Sequence, residues 1–294
     1  MTQSHVTATR VAAPAAPVVP KIRRSRSVLV PLAYAWLAAM IVAAVLADAL
    51  PLAPYAVAVG DPHRPPSTDS LNTLLGTDHL GRSILSRVVH GARVSLVVGT
   101  VAGLVGFAVG GLLGMAAGYF GRRVDAVLRL LTDAMLAFPP LILLMALSSV
   151  LTPSVRTLLV GLTLLVIPTF LRLARANTLS WAAREFVTAA RNMGAGHRRI
   201  LLKEILPNVL PSLAAYLPVV MAALIVAEGS LSFLGLGIPP PTPSWGGMIN
   251  DAKESLEDTP HMVLMPALVI FLTVFSLNLA GDHLRRRFDR TLRD

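Results

Sequence analysis

"REFVTAARNMGAGHRRILLKEILPNVLP", Arg184 to Pro211, is a charged stretch set between apolar runs. Phe186, Ala190 and Met193 fall at i, i+4 and i+7, on one face of a helix. Gly194 and Gly196 interrupt that helix, since glycine weakens a helix interior and permits a turn. A second helical piece follows with Ile200, Leu201 and Ile205 apolar, and Pro207 stands in the first turn of the next apolar run. The pattern predicts a helix, a glycine corner and a second helix outside the bilayer. Such a segment rests on lipid headgroups or docks in a groove on a cytoplasmic partner.

The surrounding chain is membrane-like. Of its 294 residues 54% are hydrophobic and 14% charged, too apolar for a soluble domain. There is no cysteine, which excludes disulfides, thiolate metal sites and cysteine nucleophiles. The net charge of +10 is spread between apolar runs, which speaks for membrane topology rather than nucleic acid. Apolar runs at 28–50, 94–119, 127–150, 155–175, 209–236 and 262–281 are near the ~20 residues that a spanning helix needs. With both termini inside, the inner segments carry 20 of the 26 basic residues and the outer ones Arg64, Arg82, Arg87, Arg93, Arg156 and Lys253, in keeping with the positive-inside rule. The opening stretch then lies in the cytoplasm between the fourth and fifth spans.

The expected organisation is a disordered basic cytoplasmic tail over 1–27, then the first span and an extracytoplasmic segment over 28–92. A core over 93–282 contains the loop 184–207, and a basic cytoplasmic tail occupies 283–294. The first apolar run is too long for the apolar region of a cleaved signal peptide and reads as a retained span.

The segment around Gly194 resembles the EAA loop of permease subunits of bacterial ABC importers. Ala189, Ala190, Gly194, Leu206 and Pro207 match that motif, while Thr188 replaces its glutamate and Glu204 its isoleucine. Glu185 and Phe186 match the "E-F-V-x-A-A-R" of the peptide-importer branch. "LLGTDHLGRSILSRVVHGARVSLVVG" (Leu74–Gly99) and "AEGSLSFLGLGIPPPTPSWGGMINDAKE" (Ala227–Glu254) look like the flank of the second span and the end of the fifth span of C-type dipeptide, oligopeptide and nickel permeases. The resemblance covers residues 28–290. It implies an all-α, six-span, type I ABC importer permease fold in the bacterial inner membrane, with both termini inside. It also implies a second permease subunit as heterodimer partner, two ATP-binding subunits and an extracytoplasmic substrate-binding protein. ATP and Mg2+ then sit on the ATPase subunits and no cofactor on this chain. The ATPase-coupling residues it implies are Glu185, Phe186, Ala189, Ala190, Met193, Gly194, Leu206 and Pro207.

Other residues bear on function separately. Ionisable groups inside spans are costly and often functional. Glu228, near the outer end of span five, with Ser232 and Trp245 beyond it, is expected on the translocation path or its outer gate. Trp245 is alternatively an interfacial anchor. Asp133 is assigned to packing, and Asp48 to solvent at the outer edge of span one. Ile84, Leu85, Val88 and Val89 suggest an amphipathic helix along the interface before Arg93. Gly103, Gly106, Gly110, Gly111 and Gly114 give span two a small-residue packing face, and Pro139–Pro140 predict a kink in span three. His79 and His90, without a ligand cluster, do not make a metal site.

Enzymatic readings find no support. None of Lys21, Lys203 and Lys253 follows a glycine, so no G-K-[ST] phosphate loop is present, and neither an H-E-x-x-H nor a G-x-S-x-G motif occurs. The reading is therefore a permease subunit of an ATP-driven di- or oligopeptide importer, with no catalytic residue. The alternatives are a permease for nickel chelates or another small solute, an ion-driven secondary transporter, and a membrane assembly protein.

Overall fold

The computed structural model describes residues 28–291. The tails expected over 1–27 and beyond residue 291 lie outside the described residues. Within them the chain is helical, and the only β pairing is two isolated bridges, Ala58 with Arg82 and Thr77 with Ser83.

Ten helices follow in order. Helix α1 spans Leu29–Val45, and α2 spans Ile84–Phe120 after a long irregular segment. Helices α3 (Arg122–Ala137) and α4 (Pro140–Val150) form a pair bent by 83°. Helix α5 is Val155–Ala182, and α6 is Glu185–Asn192. Then α7 (His197–Arg199), a π turn (Ile200–Ile205) and α8 (Leu206–Phe233) continue as one 37-residue rod. Helices α9 (Trp245–Ala252) and α10 (His261–Thr291) complete the described residues.

Among the described residues, four rods are long and apolar enough to cross a membrane: Ile84–Phe120, Val155–Ala182, His197–Phe233 and His261–Phe288. The α3–α4 pair makes a fifth if it counts as one broken span. The apolar α1 has 17 residues, a little under the ~20 of a perpendicular crossing. Outward-facing Leu112, Leu130, Leu264 and Phe271 are exposed, as apolar side chains are where lipid rather than water surrounds them.

The break between α3 and α4 has the expected cause. Proline disfavours helical backbone in the residue before it, and Phe138 and Pro139 are accordingly extended. The α2–α3 corner is turned by Gly121 at φ 58°.

Helix α2 forms the centre of the bundle, lying along α5 and also against α8. Gly106, Gly110, Gly114 and Gly118, four residues apart, face α5. A Cβ on Gly114 would stand 2.7 Å from Ala174 Cβ, and one on Gly118 2.8 Å from Thr178 Cβ. Removing side chains lets the two backbones approach, which is how helices associate where lipid weakens the hydrophobic drive. Val98, Ala102, Leu162, Phe170, Leu213 and Leu224 fill the seam among α2, α5 and α8.

Helix bounds and the expected divisions do not coincide. Ile84–Val89 does not lie along the interface. Ser83 caps α2 by accepting from Ser86 N at 3.2 Å, and Ile84 and Val88 pack against Met248, Ala252 and Met262, so the helix starts there and enters the core. The division expected at residue 93 therefore falls inside α2. The tail expected from 283 begins inside α10, which continues to Thr291.

Candidate functional site

Two regions carry the chemistry. The first is the elbow between α5 and α8. Helix α6 ends in a Schellman arrangement: Ala195 N donates to Ala190 O and Gly194 N to Arg191 O, each at 3.0 Å. Gly194 sits at φ 81°, the left-handed conformation that this end requires and that side chains resist. Glu185 lies in the first turn, where the helix dipole favours an acid. Tyr119 at the end of α2 and His197 of α7 meet through the phenol oxygen and Nδ1 at 2.9 Å. The Arg184 guanidinium lies over the Trp181 ring. These contacts fix α6 and α7 against the ends of α2 and α5.

The helix has two unlike faces. Val187 and Ala190 are buried and, with Ile200 and Ile205, face the bundle. Phe186, Ala189 and Met193, at i, i+3 and i+7, are exposed, Met193 at 79%. The expected stripe Phe186–Ala190–Met193 is thus corrected. Ala190 turns inward because its small side chain lets α6 rest on the bundle, and Ala189 takes its place on the outer face. Leu206 is half-buried against the core and Pro207 is exposed. Pro207 has no N–H to offer Lys203 O, and the π turn ends beside it.

The second region joins α2, α8 and α9. Glu228 is 1% exposed. It accepts from Ser95 Oγ at 2.9 Å and from Ser232 Oγ at 2.7 Å. Ser244 Oγ donates to Ser232 Oγ at 3.2 Å and accepts from Gly247 N, capping α9. Trp245 is fully buried and its Nε1 donates to Val88 O at 3.0 Å. The interfacial-anchor reading of Trp245 is thereby overturned, because its one polar atom is consumed inside the protein. Glu228 and Trp245 are enclosed between elements, while Ser232 and Ser244 reach a cavity beside the loop 235–244. Ser95 and Ser244 were not singled out in the sequence, and Val88 was read only as part of a helix face. A serine facing a buried acid one helix away leaves no local pattern.

Two other expectations meet the structure here. Asp133 bonds Arg172 at 2.8 Å on an exposed surface, not inside a packed interface. Asp48 is exposed and pairs with Arg93 at 2.9 Å.

A helical bundle with close glycine seams, a two-faced elbow helix and an enclosed polar network is the build of a transporter's membrane subunit. The chain belongs to the family of binding-protein-dependent transport system inner membrane components, which matches residues 110–294. It is 40% identical over 220 residues to the "Glutathione transport system permease protein GsiD" of Escherichia coli O6:K15:H31, covering 75% of this chain and 73% of that one. It is 37% identical over 219 residues to the protein of the same name from Pectobacterium atrosepticum, covering 74% and 73%. Inward-facing structures of the MetNI methionine ABC transporter superpose with TM-scores of 0.58 and 0.59 at 18% and 19% identity, over 70% of this chain and 97% of theirs. The fold is that of a type I ABC importer permease, and the chain is an inner-membrane permease subunit of such an importer.

Proposed function

We propose that this chain forms half of the translocation path of an ATP-driven importer for small peptides. Its partner in the path is a second, different permease subunit. Two ATPase subunits carry the ATP and Mg2+, and an extracytoplasmic binding protein delivers the substrate. The chain itself hydrolyses nothing. The 40% identity to permeases named for glutathione, a tripeptide, favours the shorter end of the peptide range. The proposed topology has six spans, with α1 as the first and α3–α4 as the third, and both termini inside. The basic asymmetry supports it.

The observation that carries the coupling role is the two-faced α6. Val187 and Ala190 anchor it to the bundle, Phe186, Ala189 and Met193 are left for a partner, and beyond the Gly194 corner α7 runs without interruption into the rod of α8. A push on α6 is therefore transmitted to α8 as to a lever. An apolar stripe on a short helix is the form in which helices enter grooves. The test is a complex reconstituted in lipid with its ATPases and binding protein, measuring peptide uptake and ATP hydrolysis together. Peptide-dependent hydrolysis with uptake supports the reading; uptake driven by an ion gradient without ATP rejects it.

A further inference from the structure

The end of the bundle that bears α9 contains a cavity of about 240 Å3. Arg87, Ser232, Thr242, Ser244, Asn250 and Asp251 supply its polar lining, and prolines 239, 240 and 243 stiffen its wall. Arg87 is the unusual member. It is only 3% exposed. Its Nε stands 3.4 Å from Asp78 and its Nη2 3.4 Å from Asp251, and its buried Nη1 has no hydrogen-bond partner among the described residues. Good charge-assisted bonds are about 2.7–2.9 Å long.

Asp78 is already committed, and Asp251 reaches only one arm of the fork. Asp78 takes Arg82 Nε at 2.7 Å and the amides of Leu80 and Arg82 at 2.9 Å each. Asp251 is partly exposed and touches Arg87 only at the long distance. A guanidinium carries five N–H donors, and taking such a cation out of water without acceptors is costly. Here the guanidinium is almost wholly buried and its fork is only loosely matched by the two aspartates. A planar guanidinium fork matches a carboxylate or a phosphate, and of these a small peptide carries the carboxylate. The cavity is smaller than the roughly 300–1,000 Å3 of a whole small-molecule site, so it accommodates one end of a ligand.

We propose that this cavity is a carboxylate subsite on the substrate path, where Arg87 receives the C-terminal carboxylate of an entering small peptide. This rests on the peptide-importer reading and adds to it the group recognised and the residue that recognises it. Ser232 ties the subsite to the Glu228 network, since its hydroxyl bonds Glu228 and its atoms line the cavity.

The test uses the complete reconstituted complex, with glutathione and its glycine-amide analogue as probes. Uptake efficiency for each is divided by its affinity for the isolated binding protein, so that selection by that protein cancels. Wild type is expected to prefer the free carboxylate by about tenfold or more, the worth of one good charged bond. Arg87→Gln is expected to abolish the preference. Thr242→Asp leaves the arginine and its ion pairs in place and puts a competing carboxylate at the rim. It is expected to depress glutathione uptake more than amide uptake, and it decides the matter if Arg87→Gln fails to assemble. An unchanged preference in Thr242→Asp and in assembled Arg87→Gln overturns the proposal. So does an equal loss for both probes with weakened binding-protein association, which makes the arginine a docking residue. If wild type moves neither probe, the peptide reading falls and this inference falls with it.

Discussion

Glu228 of α8 and Ser95 of α2, 133 positions apart, meet at 2.9 Å in a site closed to solvent. Ser232 completes the carboxylate's partners, and Ser244 extends the chain to α9. Removing either serine leaves a carboxylate oxygen short of a donor. Ser95→Ala and Ser232→Ala are each expected to destabilise the folded chain by about 1–3 kcal/mol. The double variant should depart from additivity because both hydroxyls serve one group. Thermal unfolding of the purified complex measures this; additive losses would show that the hydroxyls act separately.

The α2–α5 seam makes a second prediction. A Cβ on Gly114 has Ala174 Cβ at 2.7 Å, and that neighbour cannot swing away because its own backbone carries it. Gly114→Val is expected to separate the helices and cut the yield of folded protein severely, beyond the ~1–3 kcal/mol of ordinary overpacking. Gly111, with nothing nearer than Leu213 Cδ2 at 4.0 Å, should accept alanine with little loss. Size-exclusion profiles of the two variants compare them directly.

Most of the helices were readable because their signals are local. The glycine repeat of α2, the Pro139–Pro140 break and the Gly194 corner each act within a few residues. What faces what was not local. Ala190 and Ala189 are the same residue type one position apart, and only the bundle decides which is buried. Trp245 reads as an interface residue until α2 is found beside it, presenting Val88 O to its indole. The network of Ser95, Glu228 and Ser244 and the pair Arg87 with Asp251 likewise join residues far apart in the chain, which no periodicity links.

Asp48, beyond the end of α1 and paired with Arg93 near the start of α2, predicts a pH effect. Arg93 donates to Asp48 and its positive charge lies beside it, so the Asp48 carboxyl is held below the ordinary carboxylate range. A depressed folded-state value means that the pair's contribution is present above the unfolded value of about 3.9 and disappears as pH falls through the folded one. Asp48→Asn should therefore lower the unfolding temperature slightly at neutral pH, and the gap to wild type should close in acid. It should also shrink in molar salt, because the pair is exposed. A gap that persists in acid would assign the effect to something other than the ion pair.

Topology is testable because the chain has no native cysteine. Position 245 is unsuitable for labelling, since Trp245 is fully buried. Cysteine at exposed Met193 and at exposed Glu254 should label from opposite sides with an impermeant thiol reagent, Glu254→Cys in intact cells and Met193→Cys only after lysis. Labelling of Met193→Cys from outside would invert the proposed orientation.

The opposed faces of α6 separate folding from coupling by a one-residue shift. Ala190 is buried against the bundle and Ala189 is exposed beside Phe186 and Met193. An arginine at 190 must bury a long cation among Val187, Ile200 and their neighbours, or push α6 off its seat; either destroys the elbow, so Ala190→Arg is expected to lose folded protein. Ala189→Arg points the same side chain into solvent and should leave yield and unfolding temperature near wild type. On the proposed coupling role, however, it stands in the middle of the stripe that meets the ATPase. Losing about 3 kcal/mol of docking there weakens the association more than a hundredfold. Retained ATPase subunit and peptide-stimulated hydrolysis, measured on the same preparation, should both fall for Ala189→Arg. If that variant keeps wild-type levels of both, α6 meets lipid headgroups and another part of the chain receives the ATPase.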